Sequence, residues 1–206
     1  MESLAALVLE NAKFAVDGAK IYALKIQTAL SQSNFQEGIK IGLYFLQLLG
    51  INLPENPDMR DVEKGFEETK SLLAGGKIED LLDLPEMTQP EPLAALLILS
   101  RLMGATSIAN PNLMTLIALA NVNLSIEYGN SILSAFAYAT YGIVLCASVL
   151  DIELGYHFSQ LALKLVERFN AREVKAKVLD AIGNHILPWK KHLKESRAML
   201  LGLFLT

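Results

Sequence analysis

The run Tyr128–Leu150, YGNSILSAFAYATYGIVLCASVL, decides the fold. Between Glu127 and Asp151 it carries 23 residues without a formal charge. As one straight helix it would extend roughly 34 Å, about the thickness of a bilayer's apolar core. Its setting is therefore lipid, a protein interior or a partner. Spanning helices are anchored by Lys or Arg on the cytoplasmic side and by Trp or Tyr at the interfaces. No Lys or Arg occurs between Arg101 and Lys164, so no cation flanks the run. Gly129-Asn130-Ser131 also breaks it near its start, with Asn130 suited to a helix N-cap. The rest is richer in Ala, Ser, Thr, Gly and Tyr than in Leu, Ile and Phe. Small residues also serve helix contacts inside membranes, which keeps a membrane-associated protein using 128–150 as the alternative. A buried helix in a protein core is the preferred reading.

Outward from this run, the chain reads as one helix after another. Thr88, Asn110, Asn130, Asp151 and Asn170 each precede a helical pattern and stand about 20 residues apart. Helices of equal length joined by minimal turns pack as antiparallel neighbours. A pair then occupies about 40 residues, in the repeat range of helical-hairpin solenoids. Upstream, Leu4–Val16 and Gly18–Leu30 read as two helices. Asn34 with Glu37 forms a capping box that opens a third helix, closed by Gly50. Asn52–Pro57 is an extended connection, Asp58–Ala74 a charged helix stopped by Gly75-Gly76, and Ile78–Leu84 a short acidic turn. A final amphipathic piece runs from Trp189 to the end. Period-two alternation and hairpin turns are absent. The expected fold is all-α: nine or ten helices in antiparallel hairpins, stacked as a TPR-like α-solenoid in one domain over 1–206. Within it, 1–50 holds the N-terminal hairpins, 51–87 an irregular connection with one helix, and 88–206 the regular helices.

Charge is laid out unevenly. Residues 1–101 hold 15 acids and 9 bases, 102–163 three acids and no base, and 164–206 nine bases and four acids. The net charge of −4 gives no general attraction to nucleic acid, and the basic end reads as a solvated helix face. One cysteine, Cys146, excludes an internal disulfide and fits a reducing compartment. Met1-Glu2-Ser3 lacks the basic start of a signal peptide, so the expected location is the cytoplasm.

No pattern for chemistry emerges. Gly75-Gly76-Lys77 lacks the remainder of a phosphate-binding loop. His185 and His192 lack further ligands for a metal. Glu79, Asp80, Asp83 and Glu86 lack the alternating spacing of a calcium loop. Catalytic, cofactor and metal residues are accordingly expected to be none, and a site invisible to sequence patterns is the rival. For partner binding the central run offers one face of Ser134, Tyr138, Tyr141, Leu145 and Ser148. Tyr combines apolar area with a hydroxyl and suits a concave groove. The opposite face, with Leu133, Phe136, Ala137, Thr140, Val144 and Ala147, suits the core. Burial of both faces between neighbouring helices weighs at least equally. The apolar end, including Leu200, Leu203 and Phe204, is a candidate self-association surface for a homodimer.

Two stretches resemble the helix-turn-helix of tetratricopeptide (TPR) repeats: Ser33–Gly38, and Asp151–Gly155 followed by Ala162-Leu163. Gly38 and Gly155 would there let paired helices approach closely. Further stretches carry a more specific resemblance: Lys20-Ile21-Tyr22 through Ile26-Gln27, Leu48–Pro54, Ile78–Met87, Val122–Ser125 with Tyr128–Ser131, Ser134–Ala139 and Leu161–Leu165. Together, over roughly Lys20 to Ser196, they resemble the TPR-like helical region of large cyanobacterial signalling proteins. Those join a Ser/Thr kinase, an AAA-type ATPase module, this region and a histidine kinase. The resemblance implies a non-catalytic regulatory module that docks a protein partner or neighbouring kinase and ATPase domains. It also implies a piece of a larger protein, since the family pattern continues into further helices after Ser196.

Overall fold

Helix starts explain the element order. Asn34 accepts the Glu37 N–H at 3.4 Å, and Asp151 accepts the Leu154 N–H at 3.0 Å. Asn110 accepts the Leu113 N–H at 3.1 Å, and Asp58 the Arg60 and Asp61 N–H groups at 2.8 and 3.2 Å. Each supplies an acceptor to a donor that the first helical turn leaves unpaired. The computed structural model describes residues 15–192 with 194, 196, 197 and 199. Its helices are α1 (Ala15–Ser31), α2 (Phe35–Leu48), α3 (Met59–Leu73), α4 (Pro90–Ala109) and α5 (Pro111–Tyr128), followed by α6 (Ile132–Val144), α7 (Ile152–Arg168), α8 (Arg172–His185) and the single turn α9 (Leu187–Lys190). A 3-10 segment covers Ile78–Asp83, and a π turn, Leu145–Val149, extends α6. Among the described residues there is no strand, only one isolated bridge between Glu86 and Asn130. The fold is all-α.

Several boundaries differ from expectation. The helix expected over Leu4–Val16 lies almost wholly outside the described residues, and α1 runs through Gly18 unbroken. Asn130 does not cap α6. Ser131 takes that position, its N–H donating to Ser134 Oγ at 2.9 Å. Asn170 is not the cap of α8 either: it stands at φ 47°, and Ala171 opens the helix without a side-chain acceptor. Gly50, at φ 83°, closes α2 as expected.

The chain divides into two compact units, Met1–Glu68 with Met87–Ala120, and Thr69–Glu86 with Asn121–Thr206. In the first, α1, α2 and α4 pack on one another around Ile26, Phe45, Leu46, Leu99 and Leu102, all fully buried. A Cβ at Gly42 would lie 2.6 Å from Leu102 Cδ1, so this glycine lets α2 and α4 meet. Gly38 does the same for Leu30 of α1, at 3.0 Å. In the second unit α6 packs on both α7 and α8, around Tyr138, Tyr141, Phe158, Leu165 and Ile182. A Cβ on Gly155 would meet Cys146 Sγ at 2.5 Å and the Gly142 carbonyl oxygen at 2.7 Å. The close approach expected at Gly38 and Gly155 is present at both.

Candidate functional site

The Tyr-bearing face of α6 forms core. Tyr138 and Ser134 are fully buried, Tyr141 is 2% exposed and Leu145 3%. Tyr138 stacks on Phe158 of α7 at 5.9 Å between ring centres, and Tyr141 meets the same ring edge-on at 4.8 Å. Ser134 completes the helix cap, its hydroxyl 2.9 Å from that of Ser125. The groove expected along this face is therefore filled by α7, while α8 packs on the same helix. On the opposite face Ala137, Thr140 and Val144 are buried and Leu133 and Phe136 partly so, while Ala147 and, on the Tyr face, Ser148 are exposed at the end of the run. Burial pushes the Tyr138 hydroxyl far above its ordinary pKa. Tyr141 is pushed up to about 12, by burial first and then by Asp151. Cys146 is buried and its thiol is raised for the same two reasons. Leu200, Leu203 and Phe204 lie outside the described residues. His185 and His192 are both exposed. In the acidic segment Asp80 accepts the Lys77 N–H at 3.0 Å, a cap rather than a ligand. Among the described residues no three His, Cys, Asp or Glu side chains converge as a metal would require.

The first unit instead presents a preformed cleft. Lys40, Leu43, Tyr44 and Gln47 share one flank of α2 at helical spacing. Beyond Leu49, Gly50 turns the chain and the Ile51 N–H donates to the Leu46 carbonyl at 2.9 Å. Asn52, Leu53 and Glu55 then form the opposite wall of a space of about 330 Å³. Two asparagines at the start of α5 hold this wall in place. Asn110 Nδ2 donates to the Glu55 carbonyl and Asn112 Nδ2 to the Pro57 carbonyl, each at 3.1 Å. Lys40 Nζ lies 3.8 Å from Glu55 Oε1, linking the two walls. Tyr44, 54% exposed, leans on Tyr22 with ring centres 6.3 Å apart, and Leu48 beside it is 49% exposed.

This lining suits recognition. It offers an aromatic wall, two neutral amides in Gln47 and Asn52, and a cation and anion already paired with each other. The sequence reading missed these residues because a cleft between a helix and a connection has no periodicity. The available signal was Tyr44 and Leu48 on the face of α2 opposite Ile39, Gly42 and Leu46.

Over 96% of its length the chain is similar, at 24% identity across 216 aligned residues, to a segment of the hybrid signal transduction histidine kinase G of Dictyostelium discoideum. The match is to part of a signalling protein. The chain spans 6% of that kinase's length. No family model and no solved structure matches the chain.

Proposed function

We propose that the chain is a non-catalytic, TPR-like helical-repeat module of a larger signalling protein, working in the cytoplasm and presenting the α2 cleft to a protein partner or neighbouring kinase and ATPase domains. The observation that carries this reading is the extent of the histidine-kinase match, almost the whole of this chain against a small segment of a long protein. Geometry supports it: α1, α2 and α4 in one unit, and α6, α7 and α8 in the other, each form a helical hairpin with a third helix on it, as hairpins in a repeat array do. The Tyr44 wall and paired charges then serve as a recognition surface, where an aromatic side chain contributes most of the contact area.

A photo-crosslinking amino acid placed at Tyr44 in the full chain, in cells, tests the reading. It should capture a discrete protein with kinase, receiver or other signalling domains, and the adduct should vanish when Leu43→Glu charges the cleft. Adducts unaffected by Leu43→Glu would remove the cleft from the account. Phosphoryl transfer or ATP hydrolysis by the purified chain would overturn its non-catalytic character.

A further inference from the structure

Leu150 is out of place as a folding residue. It stands at φ 61° and ψ 22°, in the left-handed region that costs a leucine energy and suits glycine or asparagine. It is also 69% exposed, so burial returns nothing for the strain. Val149 beside it is 45% exposed, and Ala147 and Ser148 are exposed as well. The π turn Leu145–Val149 that carries them ends the helix, with Leu150 as its left-handed cap, a place that glycine or asparagine ordinarily takes.

The same end of the second unit holds the chain's single tryptophan. α9 packs on α7, and Lys190 pairs with Glu153 in the first turn of α7, three residues beyond Leu150. Trp189, next to that lysine, is 52% exposed. Beyond it Lys191, Lys194 and Arg197 are exposed. Apolar tips on a turn, a half-exposed Trp and three exposed cations following it in sequence together match the water–lipid boundary: Trp resides at headgroup depth, Leu and Val reach the acyl chains, and Lys and Arg meet anionic headgroups.

We propose that this end of the second unit docks on an anionic lipid surface, with Val149, Leu150 and Trp189 entering the headgroup layer and Lys191, Lys194 and Arg197 lying over it. This rests on observations separate from the α2 cleft and stands or falls independently of it.

Trp189 is its own reporter. The full chain is titrated with phosphatidylcholine vesicles and with vesicles that also contain phosphatidylserine, with brominated lipid as quencher. Only the anionic vesicles should shift the emission to the blue and quench it, with binding weakened by salt. Leu150→Asn, suited to the backbone there, should keep the circular dichroism and lower vesicle affinity about tenfold or more, as loss of a buried leucine implies. Lys194→Glu with Arg197→Glu should remove the preference for phosphatidylserine. The proposal is overturned by an unchanged spectrum on anionic vesicles, by equal binding to neutral ones, or by Leu150→Asn binding as well as the natural chain. It is equally overturned if polyglutamate gives the same shift, or if the shift follows protein concentration without lipid.

Discussion

Gly155 and Gly142 show how little room α6 and α7 leave each other. A methyl group on Gly155 would sit 2.5 Å from Cys146 Sγ and 2.7 Å from the Gly142 carbonyl oxygen. One obstacle is backbone and the other a fully buried side chain, so neither can swing away. Gly155→Ala should therefore destabilise the protein by about 2–3 kcal/mol, the upper part of the range for overpacking. Gly104, exposed within α4 with nothing within 4 Å of its would-be Cβ, supplies the control. There alanine should add about 0.5–1 kcal/mol, because glycine alone weakens a helix interior. Urea midpoints for the two variants should move in opposite directions; a neutral Gly155→Ala would mean that α6 and α7 are not so closely apposed. Tyr141 makes a second claim at this scale. Its folded pKa of about 12 lies above the ordinary 10.0, so the native state holds the proton more tightly than the unfolded chain. That stabilisation is fully present below pH 10 and lost as pH rises from 10 through 12. Allowing for partial solvation, it is no more than about 2 kcal/mol. Tyr141→Phe should flatten the fall of stability over that interval, measured as urea midpoints at stepped alkaline pH. Parallel curves for the two proteins would refute it.

The segment Ile78–Asp83 depends on residues elsewhere in its unit. A 3-10 turn bonds its own carbonyls poorly, and here they are met from outside. Asn130 Nδ2 donates to the Leu81 carbonyl at 2.6 Å and the Asn130 N–H to that of Pro85 at 2.8 Å. The Arg168 guanidinium reaches the carbonyls of Leu82 and Leu84. Removing either side chain strands carbonyls, at about 1–3 kcal/mol for each that is buried. Asn130→Ala and Arg168→Met should each speed amide hydrogen exchange across 78–86 while leaving α2 unchanged. Uniform acceleration over both units would instead indicate global destabilisation. These contacts also mark where the sequence stopped being legible. Asn34, Asn110 and Asp151 are caps, as a polar acceptor ahead of an apolar run announces. Asn130 has the same local signature, yet its amide is taken by a carbonyl 49 residues earlier in the chain, so tertiary bonding displaced it from the cap. Asn170 turns the backbone at φ 47° instead. Helix number and order are local properties and could be read from periodicity. The burial of Tyr138 and Tyr141, and the cleft between Lys40 and Glu55, depend on which elements meet.

At the scale of the molecule, two helices among the described residues are long and apolar enough to cross a membrane: Pro90–Ala109, with mean hydropathy 1.6, and the helix through Ile132–Val149, with 1.8. Hydropathy alone favours lipid for both, whereas burial favours a protein interior, and burial should prevail. In each, 61% of the window is already covered by the protein. What α4 leaves exposed includes Glu91, Arg101 and Ser107, and a spanning orientation would put Arg101 into hydrocarbon. The outward residues around the π turn are clustered at one end, which fits touching a lipid surface rather than crossing it. Size exclusion with light scattering should therefore find the purified chain strongly helical and in solution without detergent. Any fraction bound to anionic vesicles should be released by high salt, because screening weakens an electrostatic anchor and leaves an inserted helix in place. Material that stays in solution only with detergent, or vesicle binding that resists salt, would place α4 and α6 in the bilayer. The packing of Tyr138, Tyr141 and Phe158 would then have to be explained as contacts between spanning helices.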